Sequence, residues 1–494
     1  MSAAGFICHD TAAWGTPRTG AIEHRTGRME YSAAALGFSV TRDLCAFLAR
    51  ASFEHLPDAA VHAARRGVLD WLGCALAACR DPKIELTLSV LKAASTSRQA
   101  SVIGGDSKLG LLEAPLVNGQ MGHLLDFDDT HMGGVVLHTS SPVLPALLAL
   151  SETKPVSGRE FIAAYAVGFE AGVRVGKASP AHHDGGWHLT GTLGTIAAGA
   201  AAARLLRLDA QGMVHAVGLA ATQAAGMQQN RGTMAKSFHA GRAASNGLLA
   251  ALLAERGCDS SEEIIEGRRG FCRIYSAIAR PELALKELGS RWEIARNGHK
   301  PYACGVVLHP AVDAVIALSG ESGLAAAEVE RIELRVHPLA VRITGIAEPQ
   351  SGLQAKFSLA HSAAVAFLDR DAGIAQYSDE RARARDVIAL RKRISAAADE
   401  SLRRDEAHGC LVATSGTRLE RHVEHASGTV ENPMSDAAIE AKFLANAAPV
   451  LGEERARRLA QEVWRLDELP NVAPLIALAA DPSSGRWSPG RGHA

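Results

Sequence analysis

"GTIAAGAAAARLL", residues 194–206, is dominated by alanine, glycine and leucine. A run so poor in β-branched residues makes a poor strand, and its small side chains suit a helix packed closely against others. "HAVGLAATQAAGM" (215–227) has the same character. Working outward, Val61, Ala64, Val68, Leu69, Leu72 and Leu76 recur at three- and four-residue steps, with Asp58 placed to cap the start. His239 to Arg256 reads as a further helix, with Gly257 where it should stop. From about residue 40 to 290 the pattern is therefore helical.

The character changes near Lys300. "RIELRVHP" alternates Ile332, Leu334 and Val336 against Arg331, Glu333 and Arg335, a half-buried strand ended by Pro338. "CLVATSGTRLERHVEH" (410–425) predicts two strands joined around Ser415-Gly416. "KFSLAHSAAVAFLD" (356–369) lies between them as a helix, and residues 434–480 return to helical patterning. The expected fold is mostly α: a large all-helical domain over 36–297 and 431–480, interrupted by a smaller α+β domain over 298–430. A flexible extension over 1–35 and a tail over 481–494 complete the division.

Composition narrows the function. The 494 residues are 47% hydrophobic and 21% charged with a formal charge of -1, which is ordinary for a globular protein and argues against nucleic acid or an anionic membrane as partner. Eight cysteines at 8, 45, 74, 79, 258, 272, 304 and 410 form no close C-x-x-C pair, so neither a zinc ribbon nor a disulfide framework is expected. Residues 1–35 lack the apolar core of a signal peptide, and Leu189–Ala203 is too short for a membrane span; a cytoplasmic protein is expected.

Four polar stretches stand out. "GHLLDFDDTHMGGVVLH" (122–138) holds Asp126, Asp128, Asp129 and three histidines, and its residues alone leave open a metal site, an acid–base site or a capped helix end. Mg²⁺-dependent prenyl or terpene chemistry would need a second acidic motif and an aromatic cavity, whereas aromatics are only 5%. "HHDGGWHLTG" (182–191) offers His182, His183, Asp184 and His188, a legal zinc set on a glycine loop, or His188 alone as a proton carrier. In "NRGTMAKSFHAGRAASNG" (230–247), Lys236 stands before a helix whose N-terminus favours anions. "GHKPYACGVVLHP" (298–310) sets Lys300, Tyr302, Cys304 and His309 where the helical part gives way to the α+β part, a common place for a cleft. No phosphate-binding glycine loop, Walker lysine or G-x-S-x-G elbow is present. The inventory favours a small polyanion whose carboxylates meet lysine and histidine.

Five collinear stretches carry a resemblance: "NGQMGHLLDFDDTH…LHTSSPVLPALLAL", "GWHLTGTLGTIAAGAAAARLLRLD", "GTMAKSFHAGRAASNGLLAALLAERG", "KPYACGVVLHPAVDAV" and "SGLQAKFSLAHSAAVAFL". Together they resemble the MmgE/PrpD family, whose members include 2-methylcitrate dehydratase, cis-aconitate decarboxylase and iminodisuccinate epimerase. The resemblance runs from about residue 40 to 480. It implies a helical domain with an α+β lid, a homodimer, and catalysis without a metal or organic cofactor. It places the pocket at Asp126, Thr130, His138, His188, Lys236 and Lys300, with Asp128 and Asp129 structural. Cys304 stands where the animal decarboxylases of the family have a histidine, and "TSSP" follows His138 where many members have "PSS".

The implied activity is a lyase, a dehydratase or decarboxylase, acting on a small di- or tricarboxylic acid. Lys236, Lys300, Thr130 and Cys304 would bind it, His138 and His188 would move the proton, and Asp126 would orient one of these groups. An epimerase of a dicarboxylate would use the same residues. A non-catalytic helical scaffold is the reading from another class, opposed by the retained lysines and histidines.

Overall fold

The computed structural model describes residues 39–480; the expected extension over 1–35 and tail over 481–494 lie outside them. The alanine-rich run forms the helix Leu189–Leu205, and every residue of it except Arg204 is buried. Such a helix is apolar all round and must be enclosed by others. The helices Ser140–Ser151, Gly158–Ala178, Ala210–Ala221 and Met234–Glu255 surround it. Close approach depends on missing side chains. A Cβ on Gly247 would lie 2.5 Å from Ala198 Cβ, and one on Gly241 would lie 2.0 Å from the Leu116 carbonyl oxygen.

Two helix starts differ from expectation. Helix Asp58–Ala78 has Pro57 as its N-cap, so Asp58 sits in the first turn and acts on the helix dipole without capping. The helix expected from His239 begins at Met234, because Gly232 (φ +76°) and extended Thr233 break the chain earlier. Lys236 therefore lies inside the first turn rather than before it. That helix ends at Glu255, and Gly257 (φ +85°) follows as expected.

The strand Val329–Val336 buries Val329, Ile332, Leu334 and Val336 and exposes Glu330 and Arg335. It is central in a four-stranded sheet of order Ile394–Ala398, Val329–Val336, Ala407–Ala413, Arg418–Val423. The first pair is parallel and the others antiparallel, with the expected hairpin turning at Gly416 (φ +87°). Helices His309–Ser322 and Leu359–Asp369 pack on this sheet.

Two hydrophobic cores result. One joins the helices up to Ile294 with Ile439, Phe443, Leu459 and Val463 of the returning C-terminal helices. The other joins sheet and helices between Ala303 and Leu411, and takes in Cys74 and Phe127 from the helical part. A two-residue ladder, Thr130–His131 against Asn297–Gly298, clamps the acidic stretch to the segment that crosses between the cores. All seven cysteines among the described residues are free thiols, and no helix there is long and apolar enough to cross a membrane.

Overpacking the small-residue contacts should cost about 1–3 kcal/mol. Gly241→Ala and Gly247→Ala are expected to lower the thermal midpoint by several degrees. Gly320→Ala, in a helix where a Cβ meets nothing within 4 Å, should leave it unchanged or raise it. Equal melting curves for all three would contradict this account of the packing.

Candidate active site

Helix Glu113–Leu124 stops at Leu125, and Asp126 takes a left-handed backbone (φ +51°). That conformation costs a non-glycine residue of order 1 kcal/mol or more, and aspartate tolerates it better than most. The turn sends Phe127 into the second core and leaves the Asp126 carboxylate lining a cavity of about 630 Å³. His138, His188, Lys236 and Lys300 line the same cavity from the helical part and the crossover. Leu339, Ile343 and Phe357 close it from the α+β part.

Asp126 Oδ1 lies 2.7 Å from Lys300 Nζ and 3.2 Å from Lys236 Nζ. Burial pushes its pKa up, but the two ammonium groups overcome this and hold the carboxyl well below its ordinary range. Lys300 also donates to the carbonyls of Asp126 (2.9 Å) and Cys304 (3.0 Å). Its three N–H bonds are thus all used, and it offers the cavity charge rather than a free donor. Lys236 meets Asp126 and His123 Nε2 (3.1 Å), which leaves one N–H for a ligand. Burial lowers its pKa, opposed by Asp126.

The imidazoles are set by their second nitrogens. His138 Nδ1 lies 3.1 Å from the Asp129 carbonyl oxygen and 3.0 Å from Thr130 Oγ1. A carbonyl only accepts, so Nδ1 carries the hydrogen and Nε2 is the exchangeable position, 4.0 Å from Asp126 Oδ1. His123 Nδ1 is 3.0 Å from both oxygens of Asp128, which Ser141 Oγ also bonds at 2.7 Å. Burial, with Lys236 and His138 nearby, still lowers His123 to about 4. His188 Nδ1 faces His239 Nδ1 at 3.0 Å, and burial with Lys236 beside it holds His188 well below its ordinary value.

The structure brings together Asp126, His138, His188, Lys236 and Lys300 and sets others apart. Thr130 stands behind His138. Asp126 meets the two lysines more closely than any imidazole, so it organises the cations. Cys304 does not line the cavity: its thiol lies in the second core, pushed up to about 11 chiefly by burial, and only its carbonyl reaches Lys300. Tyr302 bonds Asp313 at 2.6 Å, and His309 is buried beside its ring. Asp129 is held by Ser140 and Asn297, and burial beside Asp70 pushes its carboxyl well above the ordinary range.

The glycine loop does not gather its metal-type residues. His182 Nε2 bonds Thr192 Oγ1 (3.1 Å), His183 Nε2 meets Arg231 (3.1 Å), and Asp184 pairs with Arg342 (3.1 Å). Buried His123, Asp128 and His138 do have possible ligand atoms within 4.8 Å of one another. The Lys236 ammonium, 3.1 Å from His123 Nε2, opposes a cation there.

Three participants escape the sequence reading. His123 lies in the quoted acidic stretch, but its pairing with Asp128 depends on the turn at Asp126. Lys356, buried and lowered to about 8 by burial, donates to the Ala303 carbonyl at 2.6 Å. Its surroundings, "QAKFS", echo the "MAKSF" around Lys236, a signal that could have found it. Lys442 bonds Asp70 Oδ1 (2.7 Å) and the carbonyls of Phe127 (2.7 Å) and Lys300 (3.0 Å), fastening a C-terminal helix to the back of the site.

A mostly α fold built around this lysine–histidine cluster defines an enzyme of the MmgE/PrpD type. The MmgE/PrpD N-terminal domain matches residues 42–284 and the MmgE/PrpD C-terminal domain residues 302–468, and the chain belongs to that family. It is similar to cis-aconitate decarboxylase of Aspergillus terreus, 29% identical over 471 residues, covering 89% of this chain and 95% of the relative. The cis-aconitate decarboxylase of Mus musculus is 27% identical over 466 residues (90% and 94%), and that of Homo sapiens 25% over 463 residues (90% and 95%).

The buried imidazoles predict acid sensitivity. His123, His183 and His361 sit near 4 and His182 and His309 near 3, each held down first by burial. Unfolding restores values near 6.5, so the unfolded chain takes up these protons first, and their stabilisation, complete above pH 6.5, is lost as pH falls toward 4. Each contributes a slope of about 1.4 kcal/mol per pH unit in that window. Thermal midpoints measured from pH 7.5 to 4.5 should fall progressively below pH 6.5; a constant midpoint down to pH 5 would contradict the burial of neutral histidines.

Proposed function

We propose that this protein is a lyase that removes CO₂ from a small di- or tricarboxylic acid of the cis-aconitate kind, by lysine–histidine acid–base chemistry without a bound cofactor. The observation that carries the reading is Lys236. It is a half-buried ammonium with one N–H open to the cavity, beside His138, whose Nδ1 is tied and whose Nε2 is free. The names of the relatives supply the acid.

Breaking the C–CO₂ bond leaves its electron pair on the carbon skeleton. In an unsaturated acid the pair moves through the double bond to a carbon next to another carboxylate, where one proton must arrive. Lys236 binds that carboxylate and Lys300 adds its charge, so the growing negative charge is stabilised in a site that excludes bulk water. His138 takes up a proton from water at Nε2 for each turnover and delivers it to that carbon, while Thr130 and the Asp129 carbonyl hold the ring. Burial with Lys236 beside it holds His188 well below its ordinary value, and carboxylates bound next to it raise its proton affinity and recruit it as a second donor. Asp126 holds both lysines in place. Residues 298–430 serve as a lid that brings Leu339, Ile343 and Phe357 over the acid. The reading includes a homodimer, for which exposed Leu86 and Val90, one helical turn apart, offer an apolar face.

Proton NMR of cis-aconitate incubated with the protein in D₂O tests the reaction. One deuteron in a product that has lost CO₂ is expected; deuterium in unreacted acid would indicate the reversible proton removal of an epimerase-type site, and addition of water across the double bond the reverse of dehydration. His138→Ala and Lys236→Ala should each lower kcat by about 10²-fold or more. Turnover within threefold of the wild type in both variants would refute the assignment.

A further inference from the structure

Arg231 lines the same cavity, on the loop that leads into helix Met234–Glu255. Its guanidinium is half-buried and meets only His183 Nε2, at 3.1 Å. His183 is lowered to about 4, chiefly by burial, so it does not counter the charge. The nearest loop carboxylate, Asp184, is engaged with Arg342 at 3.1 Å. No carboxylate pairs with Arg231 among the described residues. Arg404, from the α+β part, lines the same cavity and also lacks a carboxylate partner among them. A guanidinium presents five donors in a flat fork suited to a carboxylate, and His183 occupies one. Withdrawing an unpaired cation from water costs stability, which a ligand that pairs with it recovers. The cavity thus holds two sets of cations, Lys236 and Lys300 around Asp126 and Arg231 beside His183.

We infer that Arg231 and His183 form a second anion subsite that receives a further carboxylate of the ligand, so that Arg231 selects tricarboxylates over dicarboxylates. The inference rests on the reading that the ligand is a carboxylic acid. Calorimetric titration with tricarballylate and with two acids that each lack one of its carboxylates, glutarate and methylsuccinate, tests it apart from turnover. Wild type should bind tricarballylate at least about tenfold more tightly than either dicarboxylate. Arg231→Met should erase that preference and change the affinity for at least one dicarboxylate by less than about threefold; Arg231→Lys, with charge but no fork, should retain an intermediate preference. Should the Met variant fail to melt cooperatively, the Lys variant carries the same comparison. An equal loss for all three acids, an undiminished preference in the variants, or a wild type without preference would overturn the subsite. A wild type that binds none of the three acids would overturn the carboxylate reading itself, and this inference with it.

Discussion

The Lys300 ammonium, almost wholly removed from water, is held by one carboxylate oxygen and two carbonyl oxygens. A cation in that position is tolerable only while all three acceptors stay in place, since removing one partner of a buried pair costs about 3–5 kcal/mol. The acceptors come from the turn at Asp126 and the segment at Cys304, which belong to different parts of the chain. Lys442 repeats the arrangement from behind, tying a C-terminal helix to the carbonyls of Phe127 and Lys300 and to Asp70. The two cores therefore meet through fixed polar geometry as well as through the apolar contacts of Cys74 and Phe127.

From this anchoring the electrostatics follow. With Asp126 committed to two ammonium groups, the imidazoles receive little help in becoming charged, and burial keeps His123 and His188 neutral. Asp128 stays ionised because His123 and His138 both face it, overcoming the burial that would raise its pKa.

Much of this fold is legible in residue patterns, because burial imposes periodicity on neighbours. The run at 194–206 announced a helix enclosed on all sides, and Ile332, Leu334 and Val336 announced a half-covered strand. Backbone dihedrals and long-range partners leave weaker marks. Nothing in "LLDFDD" reveals the left-handed turn at Asp126, and without it His123 and Asp128 do not look like a pair. Cys304 follows Lys300 by four residues, yet the chain offers its carbonyl to the ammonium and turns the thiol into the core. Lys442 reaches Asp70 across 372 positions, a distance at which no local pattern operates. Thr130 and His138 were located through family resemblance rather than spacing.

The apolar wall of Leu339 and Ile343 belongs to a different core from most of the ionisable groups it faces. Side-chain exchanges on that wall reshape the space left for a ligand without disturbing the ammonium and imidazole geometry opposite. A lineage built this way can change the shape of its cavity by remodelling a single partition, while its ionisable half is inherited intact.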